Sequence, residues 1–300
     1  SLNLNKNVLA LYDNCAGSYT SDFNDAFEND TKQLVCFEGQ PRFILYREYF
    51  MARDKYLVEK IFNPLIGDRK NLSLLEVGAG ELTTLVPLAK AMSESFSSFS
   101  ALELSWSRIA VGRDFARSHE VCFDHLIAGS GCEIPFEDNT FDIVLTAHCL
   151  ECAPFDIQAI LKELYRVCSG HVILLEPSYE LGDKFQKKRM KRHGYVRGLK
   201  TTIESLGYQL IQHELSQYAS NIDNRTAVHV IKKSVQKKNL SPVERLVCAS
   251  CKGSLTQGDA SYFCRQCGLV YPVIKGIPCM SALDGIVASK YASCAECVDC

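Results

Sequence analysis

The sequence lacks the features that mark membrane-spanning, secreted and strongly nucleic-acid-binding chains. No stretch approaches the ~20 consecutive apolar residues of a transmembrane helix. The first residues have neither the charged start nor the apolar core of a signal peptide. The formal net charge is −2, so no overall basic field favours nucleic acid or an acidic membrane, although a local basic patch is compatible with it. We therefore expect a globular protein that does not bind membranes.

Cysteine, in contrast, is abundant, with 15 residues in the chain. Four of these cysteines form two C-x-x-C pairs, a spacing that favours a metal over disulfides. Seven others are scattered through the first two thirds, and we expect them to be reduced and mostly buried. This usage predicts a reducing, cytoplasmic location. The scattered cysteines are Cys15, Cys36, Cys122, Cys132, Cys149, Cys152 and Cys168.

Strand and helix patterns alternate along the middle of the chain. Such alternation indicates parallel strands joined by helical crossovers, so the predicted fold is α/β, a doubly wound, mostly parallel seven-stranded sheet. The helix predicted at 157–167 has Asp156 as its cap and Ser169-Gly170 as its end. The strand candidates are 73–77, 99–104, 123–127, 141–146, 171–176, 208–215 and 227–232. The other helix candidates are 84–95, 107–119 and 201–206.

The regions on either side of this pattern differ from it. Residues 1–42 are polar and predicted to be irregular, whereas apolar residues from Arg42 to Phe62 recur at helical spacing. A polar linker at 234–242 precedes a short cysteine-rich segment. The predicted units are an N-terminal extension at 1–66, a main domain at 67–234, a cysteine-rich domain at 243–282 and a tail at 283–300. By its position and aromatic content, the extension is a candidate lid over a substrate.

A glycine turn follows the first strand of the main domain. Gly78-Ala79-Gly80 allows the backbone to pass close to a ligand at a helix N-terminus, as dinucleotide-binding turns also do. The acid Glu76 precedes the turn, and Thr83 stands where a dinucleotide motif has its third glycine. An acid there suits a cationic ligand group better than a pyrophosphate.

A second acid, Glu103, ends the next strand 23 residues after Gly80, close to the spacing at which a carboxylate binds ribose hydroxyls.

A longer motif further along resembles a family signature. The signature L-P-F-x-D-x-x-F-D of class I S-adenosylmethionine (SAM) dependent methyltransferases is matched here by Ile134-Pro135-Phe136-Glu137-Asp138-Asn139-Thr140-Phe141-Asp142. The resemblance extends from about residue 72 to 234, including a helix at 163–167 and a strand at 171–177. It implies a SAM cofactor and transfer of a methyl group to an oxygen or nitrogen atom.

The resemblance also implies roles for individual residues. The Gly78-Ala79-Gly80 backbone would approach the methionine part of SAM, with Glu76 supporting the loop or the amino group, and Glu103-Leu104 would hold the ribose. Ser130 stands where many members have an acid for adenine, so this contact would come from the backbone of Ser130-Gly131-Cys132. His148 would face the methyl group and substrate as the first choice for a general base, with Glu176 and His193 as weaker options.

The cysteine-rich segment contains Cys248-x-x-Cys251 and Cys264-x-x-Cys267, which can place four thiolates around a structural Zn²⁺. The following residues, 268–278, resemble the small zinc-ribbon family that activates methyltransferases of tRNA and translation factors. That family covers apolar surface on its catalytic subunit, so a fused copy would do this within one chain, or would act as a plain stabilising appendage.

The tail cysteines Cys294, Cys297 and Cys300 would need a fourth ligand for a second metal, and Cys279 is the nearby candidate.

A basic stretch between Lys187 and Arg197 lies where ligands bind in such sheets, so it is either a solvated helix face or a site for an anionic substrate group. The first hypothesis for the acceptor is a small molecule, such as a sugar or another anionic metabolite. The alternatives are RNA or a translation protein, and a non-catalytic binding or scaffold protein. The sequence leaves the oligomeric state open.

Overall fold

A seven-stranded sheet forms the centre of the computed structural model, which describes residues 9–153, 156–235 and 245–288. Its order is β5-β4-β3-β6-β7-β9-β8, with β3 to β7 parallel and β9 antiparallel to both its neighbours. This confirms the predicted doubly wound, mostly parallel sheet, with strand ends shifted by a few residues. The strands are β3 (Leu72–Val77), β4 (Phe96–Glu103), β5 (His125–Ala128), β6 (Phe141–Ala147), β7 (Cys168–Pro177), β8 (Gln209–Leu215) and β9 (Thr226–Lys232).

Helices cover both faces of this sheet. Every residue of β3 is buried, and its successive leucines, Leu74 and Leu75, pack into the two different core layers. Strands buried on both faces are typical of parallel sheets because crossover helices cover each side. The helices are α1 (Ser18–Glu28), α2 (Tyr46–Tyr56), α3 (Asn63–Ile66), α4 (Leu85–Ala91), α5 (Trp106–Ser118), α6 (Ile157–Val167), α7 (Lys184–His193) and α8 (Leu199–Ser205). None of the helices in the described ranges is long and apolar enough to cross a membrane.

The N-terminal extension differs from the prediction in two respects. Instead of being irregular, it contains α1 and a hairpin of β1 (Lys32–Phe37) and β2 (Gln40–Leu45), so Phe43 and Leu45 lie in a strand and not in a helix. Glu38 and Gly39 both have positive φ, 51° and 79°, as a tight hairpin turn requires. The helical pattern is correct only from Tyr46 onward, where α2 continues into a π-helical turn, Leu57–Phe62, and α3.

The predicted ends of helix α6 are also wrong in part. Asp156 occupies the N-cap position, but its side chain makes no capping hydrogen bond. Gly170 does not end the helix, because β7 already begins at Cys168. A Cβ at Gly170 would lie 2.6 Å from the carbonyl oxygen of Asp142, so this glycine permits close approach to β6 instead.

The cysteine-rich module packs against the free edge of the sheet. Its backbone joins β5 through a parallel bridge between Cys279 and Ala128, and the Met280 N–H donates to the Ala128 carbonyl at 2.7 Å. The fully buried Arg245 donates to the carbonyls of Asp138 and Asn139 at 2.9 Å each. The module contains β10 (Leu255–Gln257), β11 (Ser261–Cys264), β12 (Leu269–Ile274), β13 (Ile277–Pro278) and β14 (Ile286–Val287). Most of the predicted linker and the tail cysteines Cys294, Cys297 and Cys300 lie outside the described residues.

Candidate functional site

The carboxyl ends of the parallel strands bring three acidic side chains to one edge of the sheet. Glu76 of β3, Glu103 of β4 and Glu176 of β7 are 2%, 5% and 1% exposed. The strands are paired in parallel, so their carboxyl ends lie at the same edge of the sheet. A buried carboxylate requires hydrogen-bond donors or a bound cation. This edge is the place where ligands bind in open α/β sheets.

The glycine loop after β3 is packed too tightly for side chains. Gly78 and Gly80 have φ of 72° and 56°, and a Cβ on Gly78 would lie 2.2 Å from Cys149 Sγ. The N–H groups of Gly78 and Ala79 donate to the carbonyl oxygen of Leu102 in β4, at 2.8 and 3.2 Å. The loop is therefore held against the neighbouring strand.

Glu103 connects this loop to the next one. Its carboxylate accepts the Gly80 N–H at 2.8 Å and the Ser105 N–H at 3.0 Å. Leu104, between Glu103 and Ser105, is half-buried. An ionised carboxylate has about four acceptor positions, so two remain for hydroxyl groups of a ligand.

Glu76 differs from Glu103 because one of its carboxyl oxygens, Oε2, is buried without a hydrogen-bond partner in the described part of the chain. Burial raises the pKa of Glu76 to about 8, although the nearby Arg53 guanidinium lowers it. Arg53 comes from α2, donates to the Thr83 carbonyl at 3.4 Å and pairs with Asp54 at 2.7 Å. A cationic ligand group beside Glu76 would satisfy the free oxygen and favour the carboxylate.

Residues Ser130, Gly131 and Cys132 form the loop after β5 and are half-buried. The Ser130 hydroxyl accepts the Cys132 N–H at 3.2 Å, and a Cβ on Gly131 would lie 3.3 Å from the Val77 side chain at the end of β3. The next residue, Glu133, accepts hydrogen bonds from Ser281 and Ala282 of the cysteine-rich module. This loop therefore lies between the glycine loop and the module.

His148 follows β6 and has a left-handed backbone, with φ of 52°. Its Nε2 lies 2.7 Å from the Thr226 hydroxyl, and its Nδ1 lies 3.5 Å from the Glu151 carboxylate. Burial lowers the pKa of His148, but the hydrogen bond and charge of Glu151 outweigh this effect, so the pKa is raised. About a third of the side chain, 36%, remains exposed. His148 is thus a partly accessible base with two fixed neighbours.

The two weaker candidates for a base occupy different environments. Glu176 accepts hydrogen bonds from the Thr146 hydroxyl and from the N–H groups of Cys149 and Leu150, and burial raises its pKa to about 7. Glu176 therefore shapes the turn that follows His148. His193 is exposed at the end of α7, where it contacts Arg192. It is not among the residues that surround His148, which with Glu151 and Thr226 we call the His148 group.

Sequence reasoning missed how Glu81 fixes the N-terminal extension over the glycine loop. The Glu81 carboxylate, 1% exposed, accepts the N–H groups of Gly17 and Thr20 at 3.0 and 2.8 Å, and the Thr20 hydroxyl at 2.9 Å. Arg108 lies 3.6 Å from Glu81. The spaced aromatic residues were the available signal, because the rings of Tyr12 and Tyr19 lie 5.0 and 4.6 Å from the Arg108 guanidinium.

The four paired cysteines form a compact cluster. The Sγ atoms of Cys248, Cys251, Cys264 and Cys267 all lie within 4.8 Å of one another. The Cys251–Cys264 distance is 3.4 Å and the Cys248–Cys267 distance is 3.6 Å. A tetrahedron of Zn–S bonds of about 2.3 Å has edges of about 3.8 Å, so this donor set suits Zn²⁺.

The scattered cysteines are less buried than predicted. Cys36 and Cys168 are buried, Cys132 and Cys149 in the loops after β5 and β6 are half-buried, and Cys15 and Cys122 are exposed. The side chain of Cys152 lies outside the described part.

Comparison with known proteins gives a consistent family match for the centre of the chain. Residues 75–175 match the family described as "Methyltransferase domain". The demethylmenaquinone methyltransferase of Geobacillus sp. (strain WCH70) is 34% identical over 112 residues, which are 37% of this chain and 47% of the relative. The enzyme of the same name from Bacillus mycoides (strain KBAB4) is 36% identical over 124 residues, 41% of this chain and 49% of the relative. The chain therefore spans about half the length of these curated relatives.

Solved structures support the fold. The cyclase SpnF aligns with a TM-score of 0.53 at 16% identity, covering 76% of this chain and 96% of SpnF. Magnesium protoporphyrin IX methyltransferase from Synechocystis PCC 6803, solved with bound SAH, aligns with a TM-score of 0.51 at 12% identity, covering 75% of this chain and 98% of that one. At these identities the likeness concerns the fold alone.

The packing of the glycine loop yields a stability prediction. Gly78→Ala should lower the free energy of unfolding by about 3 kcal/mol, because the new Cβ combines left-handed strain with overlap on Cys149. Gly194→Ala is the matched control, since Gly194 has a similar φ of 69° but open space around it, and should cost about 1 kcal/mol. Urea unfolding measures both values. Equal losses in the two variants would contradict the tight packing of this loop.

Proposed function

We propose that this chain is a SAM-dependent methyltransferase that acts on an oxygen or nitrogen atom of a small molecule. The observation that carries the proposal is the convergence of the glycine loop, Glu76 and Glu103 at the carboxyl edge of the sheet, within the region that matches the methyltransferase family. The relatives that are named after demethylmenaquinone act on a small molecule, and one protein of the same fold was solved with bound SAH.

The site fits SAM on the chemistry of its donors. The Gly78-Ala79-Gly80 backbone would approach the methionine part, the free Oε2 of Glu76 would accept the amino group, and Glu103 would accept the ribose hydroxyls. Ser130, Gly131 and Cys132 would line the adenine side. When bound, SAM supplies an electrophilic methyl group on a positively charged sulfur. The protein residues hold the reacting groups in place, which supplies most of the catalysis in such a displacement.

Helix α7 supports an acceptor with an anionic group. It contains Lys187, Lys191 and Arg189. The Arg189 guanidinium lies over the Tyr195 ring, 5.4 Å from its centre, and its Nη1 is buried without a hydrogen-bond partner in the described ranges. The charge of Arg189 lowers the pKa of Glu151, so Arg189 lies near the His148 group. A guanidinium at such a position suits a carboxylate, phosphate or enolate oxygen.

A cavity of about 370 Å³ lies between the β1–β2 hairpin, the start of α7 and the segment before β9, and it has the volume of a small-molecule site. Ile222, Asp223 and Arg225 form one wall, and the residue after Arg225, Thr226, contacts His148. The lining is mixed, with apolar groups from the hairpin and from α7. It contains Cys36, Pro41, Phe185, Ile222, Asp183 and Arg225.

The cofactor assignment predicts a specific binding defect. Glu103→Gln should weaken SAM binding at least tenfold, because the amide offers fewer acceptor positions to the ribose hydroxyls. Glu94→Gln, a change of an exposed side chain, should leave binding unaltered. Isothermal titration calorimetry with SAM and SAH measures the affinities, and methyl-labelled SAM then identifies acceptors among anionic metabolites. Absence of SAM binding would refute the assignment as a methyltransferase. SAM binding without methyl transfer would favour a non-catalytic scaffold protein. Methyl transfer to RNA would favour RNA over a small molecule as the acceptor.

We further propose that the cysteine cluster holds one structural Zn²⁺. The purified protein should contain about one zinc per chain, and Cys264→Ser should lose it and lower the Tm, because a module this small depends on its metal. Cys122→Ser, at an exposed cysteine, is the control. Mass spectrometry of metal content and thermal unfolding with and without a chelator test this. A metal-free protein of unchanged Tm would contradict the zinc site.

A further inference from the structure

Glu151 follows His148 by three residues, in a short 3-10 turn at Leu150–Cys152, and its carboxylate is fixed from several sides. Its Oε2 lies 3.5 Å from His148 Nδ1 and accepts the Asn224 side-chain amide at 2.8 Å. Its backbone carbonyl accepts the Val196 N–H at 3.1 Å. The Glu151 side chain is 12% exposed, compared with 36% for His148, so the acid lies behind the imidazole as seen from the solvent side.

On this geometry we propose that Glu151 is a positioning residue that holds His148 as the proton acceptor in methyl transfer. The inference rests on the proposed function and deepens it. Glu151 itself touches neither cofactor nor acceptor; it acts through His148.

The hydrogen bonds determine which imidazole nitrogen is basic. A carboxylate can only accept, so the neutral imidazole carries its proton on Nδ1, toward Glu151. Nε2 then presents its lone pair and accepts the Thr226 hydroxyl at 2.7 Å. The Thr226 hydroxyl occupies this lone pair, so the proton of an acceptor O–H or N–H would reach Nε2 through the Thr226 hydroxyl.

The backbone supports a functional placement of His148. A non-glycine residue with φ of 52° is strained, and such residues persist where the surroundings determine them. Here the His148 N–H donates to the Leu175 carbonyl at 3.0 Å, and Glu176 binds the N–H groups of the two following residues. These bonds turn the chain so that the ring lies beside the end of β6.

The charged groups around the imidazole come from four elements. Glu151 on the same turn and Glu176 of β7 raise the pKa of His148, while Arg53 of α2 lowers it. Burial raises the pKa of Glu151, but the hydrogen bond and charge of His148, the bond from Asn224 and the charge of Arg189 of α7 together lower it. The imidazolium formed during the reaction therefore faces a carboxylate that stays ionised.

The step balances as a simple displacement. The acceptor lone pair forms the new bond to the methyl carbon, and the electrons of the breaking carbon–sulfur bond stay on sulfur. The Thr226 hydroxyl takes the acceptor proton as it gives its own proton to Nε2 of His148, and Glu151 stabilises the resulting imidazolium through Nδ1–H. Release of this proton to solvent restores the base.

The test compares Glu151→Gln with the wild type in three measurements: NMR titration of the His148 ring, SAM affinity, and the pH profile of methyl transfer. We expect a lower pKa of His148, an acidic limb of the rate profile shifted to lower pH, and a plateau rate reduced roughly 100-fold. SAM affinity should not change. Glu151→Asp should restore part of the rate, and Glu204→Gln, on the exposed face of α8, should behave as wild type.

The outcomes separate the two proposals. If the wild type binds no SAM or transfers no methyl group, the proposed function fails, while the NMR titration still decides whether Glu151 controls His148. An unchanged His148 pKa in Glu151→Gln overturns the positioning role. So does an unshifted pH profile, or a fully active His148→Asn variant. Circular dichroism of each variant shows that it is folded, and Glu151→Asp provides a second test if Glu151→Gln does not fold.

Discussion

Buried carboxylates at the carboxyl ends of the central strands require hydrogen-bond donors, and the loops around the site supply them to Glu103 and Glu176. Glu103 accepts the N–H groups of Gly80 and Ser105, which joins the loops after β3 and β4. Glu176 accepts a hydroxyl and two N–H groups, which sets the turn after β6. A hydrogen bond to a charged group contributes about 1.5–3 kcal/mol, and an unpaired buried charge costs more, so the loop conformations follow from these acids.

Hydrogen bonds and ion pairs to other carboxylates also fix the parts of the chain outside the sheet. Glu81 holds the start of α1, and Glu133 holds residues 281 and 282 of the cysteine-rich module. Glu163 pairs with Arg166 and with Lys252, which belongs to that module. The N-terminal extension and the module are therefore attached beside the loops that we assign to the cofactor, and changes in either would reach those loops directly.

The sheet and the strand-end acids were predictable because each depends on local signals: buried strands, a glycine turn and acids at strand ends. The hairpin was not, because Phe43 and Leu45 fit the helical spacing that continues into α2, and only pairing with β1 decides between the two structures. The Glu151–His148 group was also hidden. Its other members, Asn224 and Thr226, lie more than 70 residues away and arrive only because β9 pairs antiparallel with β7.

We assign the edge of the sheet that carries Glu76 and Glu103 to SAM. The most direct test of this assignment is the number of protons released when SAM binds. Before SAM binds, Glu76 in the folded protein has a pKa of about 8, so its carboxyl group is mostly protonated at pH 7. A bound ammonium group would stabilise the carboxylate and lower this pKa, which releases a proton and makes binding tighter as pH rises toward 8. Calorimetry at pH 7 in buffers of different ionisation enthalpy measures the release. We predict close to one proton per SAM for the wild type and none for Glu76→Gln; equal values for the two proteins would contradict the account.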